Sequence, residues 1–135
     1  MNKTVLSVNS NKSMNYLLNT IITHQHNFIP VTDMYAAMKE LKKNNHVNVI
    51  LVDIDTQTEE SLDFIQHLQT SSLFNNIAVI AITGNKSAGL KKTLEDMNIH
   101  SWFSKPFNPV DILKSIEDIK VVDSTYNRRL SVITS

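Results

Sequence analysis

The sequence predicts an α/β fold in which one parallel five-stranded sheet is covered by helices on both faces. Short apolar runs alternate five times with segments whose apolar residues are spaced three and four apart. Two of the runs are apolar at nearly every position, which is typical of parallel strands that are buried on both faces. The chain also has only 2 glycines and 3 prolines among its 135 residues, too few for a turn-rich β architecture. Together these observations indicate a three-layer sandwich built from βα units.

The predicted strands and helices follow in strict alternation. Helical spacing starts near positions 14, 34, 62, 90 and 113. The last helix has the clearest start, since Asn108 can cap it and Pro109 fits its first turn. The strand runs cover residues 5–8, 28–31, 47–52, 77–82 and 102–103.

The order of the strands can also be predicted. Pro30 falls in the second strand, and proline cannot donate a hydrogen bond to a sheet, so this strand should lie at an edge. The flavodoxin-like order 2-1-3-4-5 satisfies this condition. Ligands of such sheets bind at the carboxyl ends of strands one and three, where the chain turns in opposite directions.

The composition excludes several classes of function. Thirteen basic and thirteen acidic residues give no net charge, so neither nucleic acid nor an anionic membrane is expected as a direct partner. There is no cysteine and no run of ~20 apolar residues, from which we expect a cytoplasmic protein without disulfides. The five histidines are scattered and predicted to be solvated rather than metal ligands. Residues 1–119 are interpreted as one domain, and residues 120–135, which lack a clear period, as a tail.

Polar residues at the predicted strand ends should meet at one edge of the sheet. A carboxylate there can attack phosphorus, while a hydroxyl and an ammonium can hold the phosphoryl oxygens. Taken singly, such residues are more often helix caps, turn formers or solvated lysines, and it is the set that suggests phosphoryl transfer. We therefore expect the Lys105 ammonium close to the Asp53 carboxylate. The residues of the set are Asn9, Ser10, Asp53, Asp55, Thr83 and Lys105.

Four stretches resemble the receiver domains of two-component response regulators, especially the single-domain chemotaxis type: VLSVNSN at 5–11, VILVDID at 49–55, VIAITG at 79–84 and WFSKPF at 102–107. The resemblance implies that Asp53 is the phosphoacceptor, with Thr83 and Lys105 as partners of the phosphoryl group. It implies a cis bond between Lys105 and Pro106. It further implies a histidine kinase or histidine phosphotransfer protein as donor. A downstream protein would bind the face of the fourth helix, fifth strand and fifth helix. On this face the resemblance implies that Trp102 is a switch residue, while its residue type fits a core or interface aromatic equally well.

The sequence departs from this family at the metal site. The family has two adjacent acidic residues after the first strand, where this chain has Asn9 and Ser10. Mg²⁺ prefers carboxylate oxygens, so a site formed by Asn9, Ser10, Asp53 and Asp55 is predicted to bind it weakly or not at all. Asp55 could restore part of the missing negative charge.

Three functional hypotheses follow from the sequence. The first is a phosphorylated receiver, which is a signalling protein and not an enzyme. The second is a pseudo-receiver that binds a protein partner without phosphorylation. The third is a small flavin or nucleotide enzyme on the same scaffold, which only the architecture supports.

Overall fold

The computed structural model describes residues 2–43 and 46–121. Within them the chain forms five strands and five helices in alternation. The elements are β1 (Thr4–Val8), α1 (Lys12–Ile22), β2 (Asn27–Val31), α2 (Met34–Lys43), β3 (Val49–Asp53), α3 (Thr58–Thr70), β4 (Ala78–Thr83), α4 (Ala88–Asp96), β5 (Ser101–Ser104) and α5 (Pro109–Asp118).

All strand pairs are parallel, and the order in the sheet is β2-β1-β3-β4-β5. The predicted fold class and strand order are therefore confirmed. Pro30 lies in the edge strand β2, opposite Ser7 of β1. The first four residues of β3 are fully buried, as expected for a central strand. Asn108 caps α5 by accepting a hydrogen bond from the backbone N–H of Val110, and Pro109 begins the helix.

The helices cover the two faces of the sheet and give the fold its three layers. On one face, Leu18 and Ile22 of α1 pack with Ile112 and Ile116 of α5 over the sheet. The other face carries α2, α3 and α4, which contribute apolar side chains such as Leu41 to a second core cluster. This arrangement buries both sides of the central strands, and their carboxyl ends remain as the polar edge of the domain.

The strand limits differ from the predicted ones by one or two residues. The third predicted run began at Val47, but β3 begins at Val49. Val47 is nevertheless buried in the core, so its apolar character reflects burial before the strand begins. The predicted tail, 120–135, falls mostly outside the described residues.

The prediction that all histidines are solvated was wrong for His26. This side chain is only 6% exposed, and its Nδ1 accepts a hydrogen bond from the backbone N–H of Lys3 at 3.0 Å. Burial, followed by the nearby Lys3 charge, lowers the pKa of His26 below its ordinary value, although Glu117 opposes this shift. His26 is therefore a buried polar residue at the end of the sheet opposite the polar edge.

In the described part of the chain, no helix has the length and apolar character needed to cross a membrane.

Candidate functional site at the carboxyl edge of the sheet

Asp53 is the last residue of β3 and occupies the middle of the polar edge. Its side chain is 5% exposed, which is low for a carboxylate. One oxygen, Oδ1, accepts a hydrogen bond from the backbone N–H of Asp55 at 3.0 Å. This contact closes a tight turn directly after the strand and brings the side chain of Asp55 back towards the same edge.

Lys105 follows β5 and supplies the positive charge of the site. Its Nζ lies 2.7 Å from Asp53 Oδ2 and 2.9 Å from Asp55 Oδ2, so one ammonium bridges two carboxylates. The predicted proximity of Lys105 and Asp53 is thus confirmed. The peptide bond between Lys105 and Pro106 is cis, as the resemblance implied.

Thr83 ends β4 beside β3, and its hydroxyl lies in the site but contacts the second carboxylate rather than the first. Thr83 Oγ1 donates to Asp55 Oδ1 at 2.6 Å and accepts from the backbone N–H of Asn85 at 3.0 Å. The backbone N–H of Gly84 donates to Asp55 Oδ2 at 2.8 Å. The sequence suggested Thr83 as a site residue but not Gly84. The position of Gly84 immediately after Thr83, just past the end of the same strand, could have indicated its role as a backbone donor.

These contacts determine the ionisation of two groups. Burial by itself would raise the pKa of the Asp55 carboxyl, but the hydrogen bonds from Thr83 and Gly84, and then the hydrogen bond and charge of Lys105, hold it below its ordinary value. Burial by itself would lower the pKa of Lys105, yet its hydrogen bonds and charge interactions with Asp53 and Asp55 raise it. At neutral pH the site therefore contains an ionised Asp55 and a charged Lys105.

Asn9 and Ser10 lie where the resemblance placed them, immediately after β1. Asn9 is buried, and its Oδ1 accepts a hydrogen bond from the backbone N–H of Asn11 at 2.9 Å. Because a backbone N–H needs an acceptor, this contact also identifies which end of the amide is the oxygen. Ser10 Oγ is 2.7 Å from Thr56 Oγ1. Both side-chain oxygens are thus already engaged within the protein.

A second asparagine, which the sequence analysis missed, positions the end of β1. The Asn15 amide nitrogen donates to the backbone carbonyls of Asn9, at 3.3 Å, and Val31, at 3.2 Å. Its Oδ1 accepts from Ser7 Oγ at 2.7 Å. A polar residue on the buried face of α1 was the available signal, because buried amides need partners.

The residues at this edge do not fit a tight Mg²⁺ centre. Mg²⁺ prefers an octahedron of oxygens that includes carboxylates. Here Lys105 already contacts both Asp53 and Asp55, and the Asn9 oxygen is held by Asn11. Residues 2–43 and 46–121 contain no group of three or more His, Cys, Asp or Glu side chains that could hold a metal ion.

Trp102 lies in β5, three residues before Lys105, and is half-buried. It pairs with Ala81 of β4 and packs against the core cluster under α2, α3 and α4. Lys91 of α4 places its Nζ 6.0 Å from the centre of the indole ring, within cation–π range. The indole therefore connects β5 to α4, and its role as a switch residue stays a prediction.

Comparison with known proteins identifies the family of the chain. The family model of the response regulator receiver domain matches residues 5–117. The chain belongs to the receiver domains of response regulators. It is therefore a domain of two-component signalling, and the family assignment favours neither the pseudo-receiver nor the flavin enzyme.

The individual proteins that match this chain share its fold, but their sequence identity to it is low. Stress response regulator protein 1 of Candida tropicalis is 28% identical over 95 residues, which are 69% of this chain and 36% of that protein. The match thus covers only about a third, 36%, of the length of that relative.

Two solved structures share the fold of this receiver domain. Chemotaxis protein CheY4 of Vibrio cholerae has a TM-score of 0.77 and 20% identity, covering 89% of this chain and 100% of that one. A response regulator of Thermotoga maritima has a TM-score of 0.76 and 18% identity, covering 87% and 96%. Receiver domains act with histidine kinases or phosphotransfer proteins and with downstream partners, and they typically bind Mg²⁺ in an acidic pocket.

Proposed function

We propose that Asp53 of this receiver domain accepts a phosphoryl group from a phosphohistidine on a histidine kinase or histidine phosphotransfer protein. The observation that carries the proposal is the contact of 2.7 Å between Asp53 and Lys105 at the end of the central strand. A carboxylate in that position is a nucleophile with a cation beside it that can neutralise incoming phosphoryl oxygens.

The transfer exchanges one bond for another. A lone pair of an Asp53 carboxylate oxygen forms the new O–P bond while the N–P bond of the donor phosphohistidine breaks. The electron pair of that bond stays on the imidazole nitrogen, which takes up a proton. Lys105 provides the positive charge, and the Thr83 hydroxyl and the Gly84 N–H are the neutral donors within the same site.

The domain acts in this scheme as an acceptor and switch and not as an enzyme with a diffusible product. Its proposed output surface is formed by α4, β5 and α5, on which Trp102 and Lys91 interact. A downstream protein would recognise the arrangement that this surface adopts once Asp53 carries the phosphoryl group.

Mg²⁺ is proposed to bind this domain only weakly. Asp53, Asp55, Asn9 and Ser10 are the residues around which it would bind. Two of these four are neutral, and Lys105 competes with any cation for the two carboxylates. No role of Mg²⁺ enters the transfer described above.

The test is phosphorylation by a small-molecule phosphodonor and by a phosphorylated histidine phosphotransfer protein, followed by intact-mass measurement. We expect a single phosphoryl adduct that is labile to hydroxylamine and maps to Asp53. Asp53→Asn should abolish it, whereas Asp63→Asn, which neutralises an exposed acid on α3, should not. An adduct that persists in Asp53→Asn, or no adduct with either donor, would refute the proposal.

A further inference from the structure

The donors expected to hold phosphoryl oxygens are already occupied by a side chain of the protein itself. Asp55 accepts hydrogen bonds from the Thr83 hydroxyl at 2.6 Å and the Gly84 N–H at 2.8 Å. It also accepts from the Lys105 ammonium at 2.9 Å. A hydroxyl, a backbone N–H and an ammonium thus converge on one carboxylate.

A carboxylate can satisfy these donors because it resembles a phosphoryl group in charge and acceptor chemistry. Both present anionic oxygens that form short, charge-assisted hydrogen bonds. The turn after β3 makes the substitution possible, since the hydrogen bond from the Asp55 N–H to Asp53 Oδ1 fixes Asp55 next to the acceptor. Asp53 itself is left with Lys105 as its only charged partner within the described residues.

We propose that Asp55 is an internal ligand of these three donors and that an incoming phosphoryl group must displace it, an inference that rests on phosphoryl acceptance at Asp53. Asp55 then slows acceptance in two ways. Its hydrogen bonds to Thr83, Gly84 and Lys105 must break before the phosphoryl oxygens can form theirs. Its negative charge also repels the anionic donor group.

The same contacts hold the start of the β4–α4 loop before phosphorylation. Thr83 and Gly84 are both tied to Asp55, so the phosphoryl group replaces an existing set of hydrogen bonds instead of creating a new one. The change in this loop on phosphorylation should therefore be smaller in the wild type than in a variant without the Asp55 carboxylate.

Phosphorylation rates provide the first test. Wild-type protein, Asp55→Asn and Asp96→Asn are treated with a small-molecule phosphodonor, and the Asp53 adduct is followed by intact mass. Asp55→Asn should react roughly tenfold faster, because the donors are released from an ionic partner. Asp96→Asn removes an exposed acid of α4 and should react at the wild-type rate, which controls for net charge.

The second test reports on the donors without phosphorylation. The chain has only two glycines, so ¹⁵N-glycine labelling gives two amide signals. The Gly84 signal should lie downfield in the free wild type and move upfield in Asp55→Asn, because its hydrogen bond to a carboxylate is lost. Gly89, in α4, is the internal control and should not move.

The outcomes separate this inference from the proposed function. A Gly84 signal that does not respond to Asp55→Asn overturns the inference. So does an Asp53 adduct that forms no faster in Asp55→Asn than in the wild type, and in that case phosphoryl acceptance at Asp53 stands. Absence of an Asp53 adduct in all three proteins, both with the small-molecule phosphodonor and with a phosphorylated histidine phosphotransfer protein, overturns the proposed function, and the gating role of Asp55 with it.

Discussion

Replacing Lys105 with Met removes the cation that bridges Asp53 and Asp55. At 2.7 Å the attraction between Lys105 and Asp53 is about 6 kcal/mol for an effective dielectric constant of about 20. Desolvation offsets most of it, because Asp53 is 5% exposed and Lys105 is 30% exposed. Exposed pairs contribute about 0–1 kcal/mol, and breaking buried pairs costs about 3–5 kcal/mol. For this intermediate case we expect Lys105→Met to lower the free energy of unfolding by ~2 kcal/mol at neutral pH.

The assay is urea denaturation of four proteins that form a double-mutant cycle: wild type, Lys105→Met, Asp53→Asn and the double variant. If the charge pair is responsible, Lys105→Met should cost less in the Asp53→Asn background, with a coupling free energy of ~1–2 kcal/mol. The cycle is needed because Met also changes the packing of the long lysine side chain.

Lys92→Met provides the matched control, since it makes the same replacement on the exposed surface of α4. Its effect should stay within ~0.5 kcal/mol. A coupling free energy near zero between Lys105 and Asp53 would contradict the assignment of Lys105 as the counter-charge of the site, whatever the size of the single effects.

Three further outcomes follow from the site and the core. Replacing both Asn9 and Ser10 with Asp should strengthen Mg²⁺ binding at least about tenfold, or ~1.4 kcal/mol, because two carboxylates with hard anionic oxygens are added. Calorimetric titration measures this affinity, and an unchanged affinity would contradict the placement of these two residues. Because the pKa of His26 is lowered in the folded protein, the unfolded chain binds a proton more readily than the folded one, and the free energy of unfolding should fall as the pH drops below about 6.5. Urea denaturation at several pH values measures this dependence, which His26→Gln should flatten. Fluorescence of Trp102, the only tryptophan, should change on addition of Mg²⁺ and a phosphoryl mimic, and a change that survives Asp53→Asn would exclude Asp53 from the switch.

The sequence by itself determined the architecture and the principal pair of the site. Apolar runs without alternation indicate strands that are buried on both faces, and Pro30 indicates an edge strand, so the doubly wound order 2-1-3-4-5 was consistent with the sequence. In that order the carboxyl ends of β3 and β5 lie on the same edge of the sheet. The proximity of Asp53 and Lys105 followed from topology, without knowledge of any side-chain conformation.

Only the tertiary structure decided how the remaining polar groups are paired. The contacts of Thr83 and Gly84 with Asp55, instead of with Asp53, depend on the turn that the hydrogen bond from the Asp55 N–H closes after β3. The burial of His26 likewise depends on where the chain after α1 meets the backbone of Lys3. Whether a hydrogen bond forms depends on donor–acceptor distances that vary by only a few tenths of an ångström, and apolar periodicity carries no information at that scale.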